Sequence, residues 1–380
     1  MSEDFKKKLL AYEKGELQGE ELEAFEKEME KLEYYQEMLE GKEDQQPLPT
    51  INEKKQKRII TKGKWKARFQ TALTVFGLFI LFTIVSTALT LVYYSWGKPD
   101  RVDVYRGILD YTLTITEPYG YLGGTSTNST AFFGLEASRD IRKRVGNETI
   151  KVGELTVDFR FSLMGFPERE YIGQESEDRP AFSYPNIGHR NMSDWEQLEN
   201  LPEGTVVSAY VSFNDLMETR EVESLFSNRE MFLEWLAVDT GIEETDEKYG
   251  GIIFDPIGFP STPIWHDDDM ILTSSEEDKR WFGGTKSESY QSPVYNEGDQ
   301  DMLHEQFMKT LYFLKDHEKK ANRLVFLDLQ LEDRITYLEE NGIKHYGAVI
   351  TGPTKEVLNL QDESWVAELE VDEVAFWNWE

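Results

Sequence analysis

The sequence predicts an α+β protein in three parts: a small all-α head, a single transmembrane helix and a large extracellular α+β body. Three observations lead there. An uncharged run from Phe69 to Gly97 is 29 residues long and lacks Lys, Arg, Asp, Glu, His and Pro. Before it, apolar residues recur at helical spacing. After it, segments alternating at period two are mixed with helical patterns. The expected divisions are a helical head (1–45), a basic juxtamembrane linker (46–68), the transmembrane helix (69–96), a membrane-proximal β-rich region (97–195) and an α+β domain (196–380).

In the head, Phe5, Leu9 and Tyr12 fall at i, i+4 and i+7 of a first helix. Gly15 and Gly19 bracket a turn that contains Leu17. A second helix runs from Glu20 to Leu39, with Leu22, Phe25, Met29, Leu32 and Leu39 on one stripe. Glu20, Glu21 and Glu23 lie in its first turn, where the helix dipole favours negative charge. A piece of roughly 40 residues is too small to bury such a stripe alone. Phe5, Leu9, Tyr12, Leu17, Leu22, Phe25, Met29 and Leu32 are therefore the candidate surface for a protein partner, bound helix-in-groove. The alternative is a helical hairpin that closes on itself.

The apolar run is long enough to cross a hydrocarbon core, which needs about 20 residues at 1.5 Å rise. Trp65 on one side, and Tyr93, Tyr94 and Trp96 on the other, occupy interfacial positions. Eight Lys and Arg residues between Lys54 and Arg68 precede it, with Glu53 the one nearby acid. Basic flanks stay cytoplasmic, so residues 1–68 are expected inside and 98–380 outside the plasma membrane. A cleaved signal peptide has a shorter apolar region nearer the N-terminus.

The net charge of −31 is unevenly spread: −8 over residues 1–45, +7 over 46–68 and −31 over 99–380. The basic strip suits anionic membrane lipid. The acidic body does not suit nucleic acid, whose phosphates require cations. The absence of cysteine excludes disulfides, thiol catalysis and Cys-based zinc sites.

In the body, three alternating segments read as strands: Tyr111–Thr116, Leu155–Phe161 and Val207–Phe213. Helices are expected at 300–323 and 330–340, then a strand at His345–Thr351, a helix beginning near Pro353 and a terminal strand ending in Trp377 and Trp379. Residues 172–192 and 255–300 read as loops, with a boundary near 190–200. Chemistry-bearing patterns are sparse. Five scattered histidines form no His-Glu-x-x-His. His266-Asp-Asp-Asp269 lacks EF-hand spacing and reads as a solvated acidic loop. Thr351, Gly352, Thr354 and Lys355 could cradle an anion where a strand enters a helix, although an ordinary helix start needs the same residues. No cofactor and no metal are called for.

Tyr12–Glu28 (YEKGELQGEELEAFEKE) resembles the N-terminal domain of bacterial anti-sigma factors. Many members of that group carry zinc on an H-x3-C-x2-C spacing. Here Glu28, Leu32 and Tyr35 stand at those positions, so the resemblance is to a zinc-free version. Three further strings, Leu201–Phe213, Tyr337–Glu356 and Val374–Trp379, resemble the sigma-factor regulator region of Gram-positive anti-sigma-M proteins. The resemblance implies a membrane-bound anti-sigma factor, not an enzyme. It would hold an extracytoplasmic-function, sigma-M-like sigma factor at the membrane under cell-envelope control, with a small membrane protein as a further partner. Two other readings compete: a membrane-anchored extracellular hydrolase, and a receptor for another cytoplasmic protein. A simple enzyme anchor has no use for two amphipathic helices in the cytosol.

Overall fold

The computed structural model describes residues 3–43, 53–173, 180–185, 193–243, 251–278 and 285–377. It falls into two compact units, residues 1–79 and 80–380.

The first unit contains α1 (Glu3–Glu13), α2 (Glu20–Glu43) and most of α3 (Glu53–Tyr94). α3 has 42 residues and contains a stretch long and apolar enough to cross a membrane. The expected basic linker is helical from Glu53 onward and continuous with the apolar run; residues 44–52 lie outside the described residues. Lys, Arg and Gln favour helix, and Gly63 alone does not stop it. At 1.5 Å per residue α3 is about 63 Å long, roughly twice a hydrocarbon core, so its basic turns lie beyond the apolar span.

The second unit opens with α4 (Arg101–Thr116), which corrects the strand expected at Tyr111–Thr116. Asp100 caps the helix by accepting from the Asp103 N–H at 2.9 Å. Thr114 and Thr116 donate their hydroxyls back to the carbonyls of Asp110 and Thr112. The helix is buried on several faces at once, including Ile108, Leu109, Leu113 and Ile115. A helix wrapped by protein has no continuous polar face, so its sequence mimics period two.

An antiparallel sheet follows: β1 (Ser126–Thr130), β2 (Gly134–Val145), β3 (Glu148–Arg160), β4 (Leu163–Met164) and β5 (Glu168–Tyr171). Its order is β1-β2-β3-β4, with β5 also on β3. The strand expected from Leu155 lies within β3, but Phe161 turns out of it with φ 55°. β6 (Phe182–Ser183), α5 (Trp195–Glu199), β7 (Thr205–Met217), α6 (Thr219–Phe226) and β8 (Phe232–Val238) come next. β9 (Ile252–Ile253) pairs β6, and β10 (Gly258–Pro260) pairs β8. The expected 255–300 loop instead contains β10 and a hairpin of β11 (Ile271–Asp278) and β12 (Thr285–Gln291). Its polar Ser, Thr and Glu residues alternate with no apolar partner, so no buried face was legible.

The helix expected at 300–323 breaks at His317 into α7 (Gln300–Asp316) and α8 (Glu318–Val325). Then come α9 (Leu331–Asn341), β13 (His345–Pro353), the short α10 (Thr354–Leu358) and β14 (Val366–Phe376). Trp377 follows the last strand, and Trp379 lies outside the described residues.

The central sheet has the antiparallel order β10-β8-β13-β7-β14. Val207, Ala209, Val211 and Phe213 of β7 share a core with Phe307, Leu311, Leu314, Leu331, Ile335 and Leu338 of the helices. On a second core, Tyr210, Trp235, Ala237 and Val349 pack with Tyr119, Phe182 and Tyr184. α4 fills the space beside the other sheet, where Tyr105, Ile108 and Leu109 meet Leu135, Leu155 and Phe159. The Trp235 indole N–H donates to the Thr114 carbonyl at 3.0 Å, tying α4 to β8.

Candidate functional site

The head forms around one side chain. Gly15 and Gly19 both take positive φ, 69° and 64°, which lets α1 end and α2 begin within a short turn. Phe25 of α2 is only 2% exposed. Its ring lies 5.6 Å from that of Phe5 and 5.4 Å from that of Tyr12, centroid to centroid. Leu9, Leu17 and Leu22 are half-buried around the same contact. These residues close the hairpin.

The hairpin does not cover the whole stripe. α1 has 11 residues and α2 has 24, about 16 and 36 Å of helix. Beyond Phe25 the stripe continues as Met29, Leu32 and Leu39, which are 37%, 41% and 67% exposed. Tyr34, Tyr35 and Met38 are exposed beside it. The sequence-predicted set therefore divides: Phe5, Leu9, Leu17, Leu22 and Phe25 serve the hairpin's own core, whereas Met29 and Leu32 face outward and Tyr12 does both. Met38 and Tyr34, with Leu39, enlarge the outward patch. Leu39 is legible from its seven-residue step from Leu32; Met38 and Tyr34 fall off the stripe, and no periodic signal marks them.

Glu28, Leu32 and Tyr35, at the positions where zinc-bearing anti-sigma domains place ligands, are exposed. Among the described residues no group of three or more His, Cys, Asp or Glu could hold a metal ion.

In the body, the groups considered for an anion are occupied within the fold. Buried Thr351 donates its hydroxyl to the Val207 carbonyl at 2.8 Å and accepts from the Gly146 N–H at 2.6 Å. Thr354 donates to the Thr205 carbonyl at 3.0 Å. Gly352 packs against Met231, and exposed Lys355 pairs with Glu203 at 2.7 Å.

His266, His304 and His345 are likewise held within the fold. His266 Nε2 lies 2.9 Å from the Thr310 hydroxyl, which itself donates to the Gln306 carbonyl, so the imidazole N–H is the donor. Burial, helped by nearby Lys309, pushes the His266 pKa down to about 4 despite the acids beside it. Those acids, Asp268 and Asp269, pair with Lys309 at 2.8 and 2.6 Å. Thr219 bridges two further rings, 2.6 Å from His304 Nε2 and 2.8 Å from His345 Nε2. With His345 Nδ1 donating to the Ala237 carbonyl at 3.2 Å, Thr219 must donate to His345 and accept from His304. Burial, with His304 nearby, holds His345 neutral at a pKa of about 3.

Two family models match the chain: sigma factor regulator N-terminal over residues 57–150, and sigma factor regulator C-terminal over residues 198–373. The chain is also similar to the probable anti-sigma-M factor YhdL of Bacillus subtilis (strain 168). The two are 29% identical over 387 residues, covering 100% of each. No solved structure matches. The two head helices lie outside both family models but inside the full-length similarity.

Proposed function

Since this chain belongs to the sigma factor regulator family of membrane-bound anti-sigma factors, we propose that the outward face of α2 is where it captures its sigma factor. The observation that carries this reading is the apolar stripe Met29, Leu32 and Leu39, which continues past the end of α1 and is exposed among the described residues. Such a stripe lowers its free energy by entering an apolar groove, each fully buried side chain contributing about 1.5–3 kcal/mol before docking costs. Micromolar affinity corresponds to about 8 kcal/mol, more than these three side chains supply net of docking costs, so the exposed Tyr34, Tyr35 and Met38 beside the stripe join it in the interface. Glu26, Glu28, Glu30, Glu33 and Glu37 surround the stripe, so the groove that receives it is rimmed by bases.

The partner is an extracytoplasmic-function sigma factor of the sigma-M-like kind, as the name of the Bacillus relative suggests. The basic residues that precede the apolar span support a cytoplasmic head and an acidic body outside, monitoring the envelope. Holding sigma against the membrane keeps it from RNA polymerase without any catalysis, and the family is regulatory rather than enzymatic.

Affinity purification of the tagged full chain from its native cells tests this. Sigma is expected to co-purify with the wild type and to be lost from Leu32→Asp. Equal recovery from both would remove α2's outward face from the interaction. Protease added to intact cells tests the orientation: it is expected to degrade the body and spare the head.

A further inference from the structure

We propose that two hairpin tips of the body enter the membrane on the body's side of the span and grip α3, the β1–β2 tip reaching the hydrocarbon and the β3–β4 tip the interface beside Tyr93 and Tyr94. The inference rests on α3 being a membrane span; it is independent of which side of the membrane the body occupies.

The grip is a set of hydrogen bonds to one face of α3. Ser86, Thr90 and Tyr94, at i, i+4 and i+8, are 6%, 0% and 1% exposed, whereas Val85, Leu89, Leu91 and Val92 around them are exposed. The Ser86 hydroxyl accepts from the Phe132 N–H at 2.8 Å, and the Thr90 hydroxyl from the Phe133 N–H at 2.9 Å. The Tyr94 hydroxyl donates toward the Phe133 and Phe161 carbonyls at 2.9 and 3.2 Å. Phe132 and Phe133 form the β1–β2 turn, and Phe161 the β3–β4 turn; the Phe161 N–H donates to the Phe133 carbonyl. Irregular backbone is tolerated at membrane depth only where its polar groups find partners, and here helix side chains and the second turn provide them.

Depth follows from the helix. Counting about 20 residues from Phe69 sets the far edge of the hydrocarbon near Ala88. Ser86 lies inside that edge, and Phe82, whose ring is 5.6 Å from that of Phe132, lies about 9 Å deeper than the edge at 1.5 Å per residue. A turn that touches Phe82 therefore cannot remain in water.

The turn residues point the same way. Phe132, Phe133 and Phe161 have φ of 64°, 59° and 55°. Bulky side chains are strained there, and turns of this kind ordinarily take Gly or Asn. Turn geometry does not explain phenylalanine at three such positions. Insertion does: Phe132 and Phe161 are 40% and 44% exposed beside a helix that is itself lipid-facing, and neighbouring Leu163 is 73% exposed. The occupant committed to is acyl chain, because this patch is continuous with the apolar surface of α3.

The test uses the full chain in phosphatidylcholine–phosphatidylglycerol vesicles. It has no cysteine, so each added cysteine carries a single fluorescent label. Labels are placed at Phe132→Cys, Leu163→Cys, Leu78→Cys in mid-span and Glu332→Cys on the exposed body. Doxyl-labelled acyl chains are expected to quench Phe132→Cys nearly as strongly as Leu78→Cys and Leu163→Cys more weakly, and aqueous iodide to quench Glu332→Cys most and Phe132→Cys and Leu78→Cys not at all. Iodide quenching at position 132 with lipid quenching retained at 78 would overturn the proposal while leaving the span intact. Shielding of position 132 from both quenchers would place it against protein and overturn it equally. Absence of lipid quenching at 78 would overturn the span and the proposal together. Adding Ser86→Ala and Thr90→Val is expected to reduce lipid quenching at 132, a change that an unattached hairpin would not show.

Discussion

Tyr12 lies with its ring 5.4 Å from that of Phe25, and this contact separates the part of the α2 stripe that builds the head from the part left exposed. Up to Phe25 the apolar residues are spent on α1. After it they are exposed.

Two substitutions on one stripe should consequently fail differently. Phe25→Ala removes the residue both α1 rings pack on, a loss of about 3 kcal/mol for a buried phenylalanine, which a two-helix head cannot absorb. Hydrogen exchange should accelerate throughout α1 and α2, and sigma retention should fall with it. Leu32→Ala should weaken sigma binding about tenfold or more and leave exchange in the hairpin unchanged. Fast exchange in the Leu32 variant would mean that the outward face also stabilises the head.

The body should lose stability on acidification through its histidines. His266 and His345 are held neutral by burial, with folded pKa values of about 4 and about 3, against about 6.5 when unfolded. The unfolded chain therefore binds more protons below pH 6.5. Their contribution is complete above that pH and declines as pH falls toward 4. Glu234 and Glu370, whose carboxyls burial raises, act in the opposite sense. Thermal melts at pH 7.5, 6 and 5 should show a falling midpoint, with a shallower fall for His266→Gln than for the wild type.

A third expectation concerns Arg334. Its guanidinium pairs with Glu243 at 2.6 Å and donates to the Leu329 carbonyl at 2.8 Å, with both side chains nearly buried. Glu243→Ala leaves a buried charge without its partner and should cost the body about 3–5 kcal/mol in denaturant titrations. Full-length variant that still folds should bind sigma normally. Reduced sigma binding in that folded variant would reveal coupling between body and head.

The basic turns of α3 predict a salt effect. If Lys54 to Arg68 rest on anionic lipid, a peptide of residues 53–68 should bind phosphatidylglycerol vesicles at low salt and dissociate at high salt. Binding indifferent to salt would argue against a surface electrostatic role.

Much of this protein could be read along the chain. The apolar run, its basic flank, the two head helices and the strands of β3, β7 and β13 are local signals, since hydropathy, charge and periodicity are set by neighbours within a turn or two. α4 was misread because it is enclosed, and a helix buried on every side no longer displays its period. The β11–β12 hairpin escapes sequence reading because every side chain described on it is exposed, leaving no apolar face to mark it. The candidate binding stripe was legible as a stripe, but its division at Phe25 was not, because that depends on how far a separate helix reaches.

The residue order alone specified which stretch is long and apolar enough to cross a membrane, where the basic residues cluster and which faces are apolar, because these properties belong to short segments. Folding settled what those faces meet: Phe25 with Phe5 and Tyr12, Trp235 with Thr114, Phe133 with Thr90. Such pairings join residues from about a dozen to over a hundred positions apart, and no local pattern encodes a distance of that kind.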